Sequence, residues 1–248
     1  MAETVDRCTP LRFGRRFPYV LMYHSVAVCS RDPHLVTVGP ARFEAQLRWL
    51  RARGLRGVSM GELLAAARSG GTRGLVGLTF DDGYADFARN ALPALRRNGC
   101  TATVFAIAGR LGQHNAWDGD GPRKELMDVD ELRRVADAGM EIGSHGLQHR
   151  RVSRLEPIDL RAEVAHSRNQ LRELTGVEIG GFCYPYGDVS AAAVDLVRSC
   201  GYDYGCAIWR DPLSGRHALP RTYVGDRDAG MRLLAKRLRH ESRVLRIR

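Results

Sequence analysis

Two adjacent carboxylates, Asp81 and Asp82, are the residues of this chain best suited to chemistry. They follow the apolar run 75–80 and precede Gly83, so a predicted strand ends abruptly at the two acids. Neighbouring carboxylates repel each other, and keeping both ionised favours a nearby cation such as a divalent metal ion. One acid could then bind the ion while the other accepts a proton. The same residues are also compatible with an ordinary Asp–Gly turn that caps a helix.

A pair of histidines four residues apart is the second chemical motif. His145 and His149 lie in Ser144-His145-Gly146-Leu147-Gln148-His149, and this spacing predicts that both imidazoles lie on one side of a helical turn and reach one cation. Zinc prefers such nitrogen-rich ligation, and two histidines with one aspartate leave positions open for water, as in a catalytic site. An isolated pair of this kind is more often a surface feature. Its combination with two acids at another strand end favours a metal site.

His24 and Tyr186 also lie where predicted strands end. His24 follows the apolar run 19–23, and Tyr186 closes the strand predicted over 180–186. Histidine titrates near neutral pH and therefore suits acid–base chemistry. The alternative for His24 is a core histidine whose ring is satisfied by backbone groups.

Predicted strands and helices alternate along the chain and must position these residues. About seven or eight parallel βα units are typical of a barrel rather than an open sheet, and no glycine-rich nucleotide fingerprint follows the first strand. Catalytic groups of such barrels project from the carboxyl ends of the strands. The strands are predicted over 19–23, 57–59, 75–80, 101–108, 140–144, 180–186, 202–208 and 218–224, and the helices over 40–53, 59–68, 86–98, 128–138, 157–174, 191–200 and 228–240.

Local signals refine this pattern. Ser59 with Glu62, and Asp128 with Glu131, predict capped helix starts, and Pro93 predicts a limit or kink in its helix. The segment 109–127 is rich in Gly, Asn, Asp and Pro, which predicts a long loop of the kind that covers a site.

Composition indicates one large globular domain. The 248 residues are 44% hydrophobic and 27% charged, which excludes a disordered chain. The net charge is +10, and almost all basic residues are arginine, because Lys124 and Lys236 are the sole lysines. Arginine favours acidic partners through bidentate pairing, although codon composition alone could produce the bias. We expect no nucleic-acid partner, and the sequence makes no prediction of oligomeric state.

The cysteines and the termini bear on the compartment. Six scattered cysteines without a Cys-x-x-Cys pair exclude a zinc ribbon and predict free thiols. The charged segment 1–16 lacks the apolar core of a signal peptide, and no run is long enough to span a bilayer, so we predict a cytoplasmic protein.

The C-terminal segment 227–248 is predicted to be a basic amphipathic helix. It carries eight basic residues against two acidic ones, with apolar residues between them. Such a helix can associate weakly with an anionic membrane, or it can simply pack as a terminal barrel helix with a solvated basic face, which is the more ordinary case. The predicted organisation is an N-terminal extension (1–18), a catalytic domain (19–226) and this tail.

Three motifs together resemble those of a known enzyme family. Thr79-Phe80-Asp81-Asp82-Gly83, Ser144 to His149 and Tyr184-Pro185-Tyr186-Gly187 resemble the first three motifs of the polysaccharide deacetylases (NodB homology, carbohydrate esterase family 4). Tyr23-His24-Ser25-Val26 and Leu219-Pro220-Arg221 are similar to the branch that contains poly-N-acetylglucosamine deacetylases. The resemblance spans about 19–224. It implies an α/β fold, a distorted, incomplete (β/α) TIM-like barrel in a single domain, and a metal-dependent hydrolase that removes N-acetyl groups from an amino sugar or glycan.

The resemblance also implies a role for each site residue. Asp82, His145 and His149 would bind one divalent metal ion, most simply zinc, with cobalt or nickel as alternatives. Asp81 would be the general base and His24 the general acid. The backbone N–H of Tyr186 would stabilise the oxyanion.

Departures from the family pattern leave alternatives open. The third motif commonly begins with an arginine that positions the base, whereas Phe182-Cys183-Tyr184-Pro185 has none, so Arg221 could substitute. Asp203 lies near where the family often has another acid. The lack of a secretion signal favours an intracellular substrate such as a lipid-linked or nucleotide-linked N-acetyl sugar. An O-acetyl esterase and a non-catalytic glycan-binding protein are the competing interpretations, and the intact acid and histidine pairs favour an enzyme.

Overall fold

Short, buried, parallel strands build the frame of the protein. The computed structural model describes residues 17–245, so the predicted N-terminal extension lies almost wholly outside the described residues, as do Cys8 and residues 246–248. The strands are β1 Val20–Tyr23, β2 Ser25–Val26, β3 Thr37–Val38, β4 Arg56–Val58, β5 Leu75–Phe80, β6 Thr103–Ala106, β7 Glu141–Ser144, β8 Gly181–Cys183, β9 Tyr204–Cys206 and β10 Thr222–Tyr223.

Eight of these strands form one parallel sheet in the order β10-β1-β5-β6-β7-β8-β9, with β4 pairing with the first half of β5. A parallel bridge from Cys206 to Leu219 links β9 to the segment that enters β10. The sheet therefore curls into the distorted, incomplete (β/α) barrel that the sequence predicted. All carboxyl ends of its strands lie at one end of the barrel, as parallel pairing requires.

Helices pack against the sheet. They are α1 Pro40–Arg51, α2 Met60–Arg68, α3 Leu92–Arg97, α4 Val129–Asp137, α5 Pro157–Arg161, α6 Ser167–Thr175, α7 Ala191–Ser199 and α8 Gly230–Leu245. The helix predicted over 157–174 contains a π-helical turn, Ala162–His166, between α5 and α6, and another π turn, Phe87–Ala91, directly precedes α3 and Pro93. The end of α6 at Gly176, which has a φ of 74°, follows the usual left-handed cap.

The two predicted helix caps differ in outcome. Asp128 and Glu131 form the full reciprocal capping box at α4. At α2 one half forms, since the Ser59 hydroxyl accepts from the Glu62 N–H. The prediction of the reciprocal hydrogen bond, from the Ser59 N–H to the Glu62 side chain, is wrong. The Ser59 N–H donates to the Thr101 hydroxyl, and the Glu62 carboxylate accepts from that hydroxyl.

Alternating residues of the strands separate two apolar clusters. Val104 and Phe182 belong to the large cluster between sheet and helices, whereas their neighbours Phe105 and Cys183 belong to a smaller one on the opposite, inner face. The inner cluster contacts Arg221, whose guanidinium is 5.8 Å from the Phe105 ring centroid.

The C-terminal helix packs on the barrel. Leu233 of α8 is 2% exposed and joins the large core cluster, and Lys236 donates to the Tyr223 carbonyl. No helix within residues 17–245 combines the length and the apolar character needed to cross a bilayer. The cytoplasmic compartment and membrane association stay predictions. The five cysteines in the described part of the chain are free thiols, as predicted.

Candidate active site

Asp81 and Asp82 directly follow β5 and are 2% and 4% exposed. Asp82 has a φ of 70° and Gly83 one of 68°, so the chain turns sharply through left-handed backbone. A Cβ on Gly83 would lie 3.2 Å from the Ala106 Cα, which explains the glycine. The turn leaves the two neighbouring carboxylates with entirely different partners.

Asp82 meets both histidines at one point. Its Oδ1 lies 3.3 Å from His145 Nε2 and 3.3 Å from His149 Nε2, and all three residues are buried. Two ligand atoms each bound at about 2.1 Å to one ion are about 3.3 Å apart. Burial raises the pKa of the Asp82 carboxyl, but its contacts with His145 and His149 hold that pKa well below its usual range. No group in the described part of the chain forms a hydrogen bond with Asp82 Oδ1, so the three atoms fit a divalent cation.

The imidazole of His145 is oriented by the neighbouring strand. Its Nδ1 lies 2.8 Å from the Cys183 carbonyl oxygen, which can accept a hydrogen bond but not donate one. Nδ1 therefore donates this hydrogen bond, and Nε2 faces Asp82, as in many metal sites. Burial lowers the pKa of His149, which favours the neutral ring that a metal ion requires.

The histidine motif is a loop, and the predicted helical turn is wrong. Gly146 has a φ of 83° and His149 one of 62°, which no helix tolerates. The Gly146 and Leu147 carbonyls accept from the N–H groups of Ala108 and Gly109 at 3.0 and 2.9 Å. Contacts with a neighbouring segment, rather than helical spacing, bring the two imidazoles together.

Asp81 forms a bidentate ion pair with Arg221, which lies in the segment that enters β10. Arg221 Nη1 and Nη2 donate to the two carboxylate oxygens at 2.6 and 2.7 Å, and the guanidinium also donates to Thr79, Cys183 and Ala207. Burial raises the pKa of Asp81, but Arg221 outweighs burial and holds it below its usual range. Arg221 thus makes the contact expected of the third-motif arginine, which the stretch 182–185 lacks.

His24 lies at the end of β1, beside Asp81. Its Nε2 is 3.9 Å from Asp81 Oδ2, and its Nδ1 has no hydrogen-bond partner within residues 17–242. Among the described residues neither ring nitrogen bonds to backbone, so the satisfied core histidine considered from sequence is not what the structure contains. The side chain is 15% exposed and can be reached by a ligand.

Tyr186 lies in the tight turn Pro185–Gly187 after β8, with a φ of 59°. Its ring is 4.5 Å from the His149 ring and is partly exposed at the mouth of the site. Asp82, His149 and Tyr186 are three of the four non-glycine residues with positive φ in the described chain. Strained backbone of this kind concentrates at functional sites.

The predicted loop 109–127 does cover the site. It contains no strand or α-helix beyond short turns and bridges, and the Trp117 ring lies 4.5 Å from that of His149. The other acid noted from sequence has a different setting. Asp203 is half exposed beside Arg216.

Two contributors to the site were not identified from sequence. The Cys183 carbonyl orients His145, and the Glu163 carboxyl group bonds to the loop between the histidines. Glu163 stands in no recognisable motif, and Cys183, although it lies in the third motif, acts through its backbone carbonyl. Their roles depend on chain segments that are distant in sequence, so no local signal could have found them.

Comparisons with known proteins identify the family of this chain. The sequence profile of the family described as "Polysaccharide deacetylase" matches residues 68–205, which is more than half of the chain. YxkH of Bacillus subtilis (strain 168), a provisionally named polysaccharide deacetylase, is 27% identical over 212 residues, covering 83% of this chain and 70% of the relative. A poly-beta-1,6-N-acetyl-D-glucosamine N-deacetylase of Staphylococcus aureus (strain MSSA476) is 22% identical over 210 residues. The match covers 79% of this chain and 71% of that relative.

Solved structures show the same fold. The Streptococcus pyogenes deacetylase PplD, in complex with acetate, superposes with a TM-score of 0.76 at 22% identity, covering 89% of this chain and 97% of that one. IcaB from Ammonifex degensii superposes with a TM-score of 0.72 at 25% identity, with the same coverage. Taken with the matched profile, these likenesses establish that the chain belongs to the polysaccharide deacetylase family.

Proposed function

We propose that this protein is a metal-dependent hydrolase that removes N-acetyl groups from the amino sugars of a glycan. One observation carries the proposal: Asp82 Oδ1, His145 Nε2 and His149 Nε2 converge beside a second carboxylate, Asp81, that Arg221 holds apart from them. A site that only bound a glycan would need neither a ligand set nor a separate proton acceptor. We place the catalytic unit within residues 19–226.

The donor set favours zinc. Two imidazole nitrogens and one carboxylate oxygen form the ligand set of many catalytic zinc sites, and cobalt or nickel accepts the same donors. A divalent ion held there supplies Lewis acidity, which activates water and polarises the acetamide carbonyl. Asp82, His145 and His149 would hold it in a fixed position.

Asp81 and His24 would transfer protons, and the Tyr186 N–H would stabilise the oxyanion. Asp81 is ionised at neutral pH, because Arg221 lowers its pKa, and it accepts the proton of the attacking water. The backbone N–H of Tyr186 donates to the oxygen that becomes negative on the former carbonyl. His24, 3.9 Å from Asp81, donates a proton to the leaving nitrogen. The products are acetate and a free amino sugar.

The relatives suggest the substrate class. The Staphylococcus aureus relative is named for poly-beta-1,6-N-acetyl-D-glucosamine, and we propose a glycan that contains N-acetylglucosamine for this chain as well. The Trp117 and Tyr186 rings at the mouth of the site support a sugar ligand, since aromatic rings stack on the apolar faces of sugars.

Acetate release tests the proposal directly. Zinc-loaded protein is incubated with oligomers of β-1,6- and β-1,4-linked N-acetylglucosamine and with O-acetylated xylan, and Asp81→Asn protein is the control. We expect acetate and new free amines from an N-acetylated oligomer with the wild type alone. Release from the O-acetylated glycan alone would make the protein an esterase. Release from no substrate, with metal bound, would favour a glycan-binding protein.

A further inference from the structure

Glu163 is a buried acid outside the reacting groups described so far. It is 2% exposed and lies in the π-helical turn Ala162–His166, between α5 and α6. Among the side chains that the structure describes, those of residues 17–242, no arginine, lysine or histidine forms an ion pair with it. A buried carboxylate without a counter-charge costs free energy unless hydrogen bonds satisfy it, so its partners indicate what it is for.

Those partners are the backbone of the metal-ligand loop. Glu163 Oε2 accepts from the Leu147 N–H at 2.7 Å, and both carboxylate oxygens accept from the Gln148 N–H at 3.1 Å. Leu147 and Gln148 lie between the two histidines. A Cβ on Gly146 would lie 2.5 Å from Glu163 Oε2, so the glycine at this position allows the carboxylate to approach.

The same helix is tied to the strand that carries the first histidine. The Ser167 hydroxyl donates to the Glu163 carbonyl at 2.6 Å and meets the Ser144 hydroxyl at 2.8 Å. The Ser144 hydroxyl in turn accepts from the Gly146 N–H at 3.2 Å. Strand, helix and loop are thus joined in one hydrogen-bond network. A π turn inside a helix commonly marks a functional position, and this one carries Glu163.

We propose that Glu163 is a positioning residue that fixes the loop from His145 to His149 in the geometry needed to bind the metal ion. The loop adopts left-handed backbone at both Gly146 and His149, and such a conformation persists only where its surroundings enforce it. Glu163 is not one of the proposed metal ligands, and its hydrogen bonds hold the loop in this conformation. The proposal rests on the proposed metal site.

The test compares Glu163→Gln and Glu163→Asp with Glu141→Gln. The glutamine keeps the shape but replaces one acceptor with a donor, and the aspartate keeps the charge but retracts it by one methylene. Glu141 is a matched control, because it also accepts from a backbone N–H, that of Gly61, but stands at the opposite end of β7. Three quantities are measured: zinc affinity by chelator competition, the absorption spectrum of the cobalt-loaded protein, and amide exchange in the metal-free protein.

Both Glu163 variants should bind zinc about 10- to 100-fold more weakly, as is usual when the support of a ligand is lost. They should change the cobalt spectrum and lose exchange protection at Leu147 and Gln148, while Glu141→Gln loses stability alone. A folded Glu163 variant with wild-type zinc affinity and unchanged protection would overturn the proposal, as would an equal affinity loss in Glu141→Gln. If wild-type protein bound no zinc, the proposed function would fail, and the exchange measurement would still decide the role of Glu163.

Discussion

Two carboxyl groups at opposite ends of the barrel, Glu141 and Asp82, differ in whether hydrogen bonds satisfy their oxygens. At the amino end, Glu141 at the start of β7 accepts from the Tyr204 hydroxyl, the Thr103 hydroxyl and the Gly61 N–H, all within 2.8 Å. At the carboxyl end, Asp82 Oδ1 is buried and has no hydrogen-bond partner among the described residues. Fully paired acids stabilise a fold, whereas a buried unpaired oxygen requires another explanation, and a metal ion supplies one.

The same contrast recurs within the carboxyl end. Asp81 has both oxygens paired by Arg221, whereas Asp82 shares one oxygen between two imidazoles at 3.3 Å. Adjacent residues of identical chemistry therefore have different tasks. A carboxylate held by a guanidinium stays ionised and fixed, as a base must, and an unpaired one is free to bind a cation.

The largest effect is expected from removing the nitrogen donors. The double variant His145→Ala/His149→Ala leaves Asp82 as the one protein ligand and should lose both bound zinc and deacetylation entirely. Zinc per chain is measured by elemental analysis and acetate release by an enzymatic assay. His166→Ala, an exposed histidine on the π turn, is the matched control and should keep both. Full zinc occupancy in the double variant would show that the ion lies elsewhere.

The next largest effect concerns the leaving group. His24→Ala should keep the metal and the fold but lose about 100- to 10,000-fold in amide cleavage, the usual contribution of a positioned acid. An activated aryl acetate, whose leaving group needs little protonation, should be cleaved at a much less reduced rate. Equal losses on both substrates would remove His24 from the role of acid.

Breaking the pair at Asp81 should shift the pH dependence. Arg221→Gln removes the cation that lowers the pKa of Asp81, so that pKa rises and the acidic limb of kcat/KM moves to higher pH. The variant should also lose about 3–5 kcal/mol of stability, because it leaves a buried charge alone. Arg221→Lys keeps the positive charge without the bidentate contact. It should therefore shift the acidic limb of kcat/KM less than Arg221→Gln does. An unchanged limb in folded variants of both kinds would contradict Asp81 as the base.

The smallest effect on activity belongs to the amino end. Tyr204→Phe removes one donor to Glu141 and should cost about 1–3 kcal/mol of unfolding free energy, since it leaves an acceptor unpaired. Acetate release and zinc affinity should not change. Denaturant unfolding and the acetate assay check the two parts, and a marked loss of activity in the folded variant would erase the distinction between the ends.

Local sequence signals predicted the frame of the protein well. The apolar run before Asp81 is β5, the capping box at Asp128 is present, and helix 40–53 is α1 within two residues. These features depend on neighbours in the chain. The sequence could therefore show that polar residues end several strands of one barrel.

Tertiary contacts determined what the sequence could not show. The loop between the histidines is fixed by Glu163 and by residues 108–109, so its left-handed backbone overrides the helical spacing. Arg221 stands 140 residues from Asp81, and its pairing depends on barrel closure. The capping box at Ser59 is incomplete because the Ser59 N–H donates to the hydroxyl of Thr101, which lies in another segment.

Metal content in two neighbouring variants tests the central claim most directly. Asp81→Asn and Asp82→Asn differ by one position and make the same chemical change. The division of tasks between the two acids predicts one zinc ion per chain in folded Asp81→Asn, with activity reduced about 100- to 10,000-fold. It predicts little or no zinc in folded Asp82→Asn. Equal zinc contents in the two variants would contradict it.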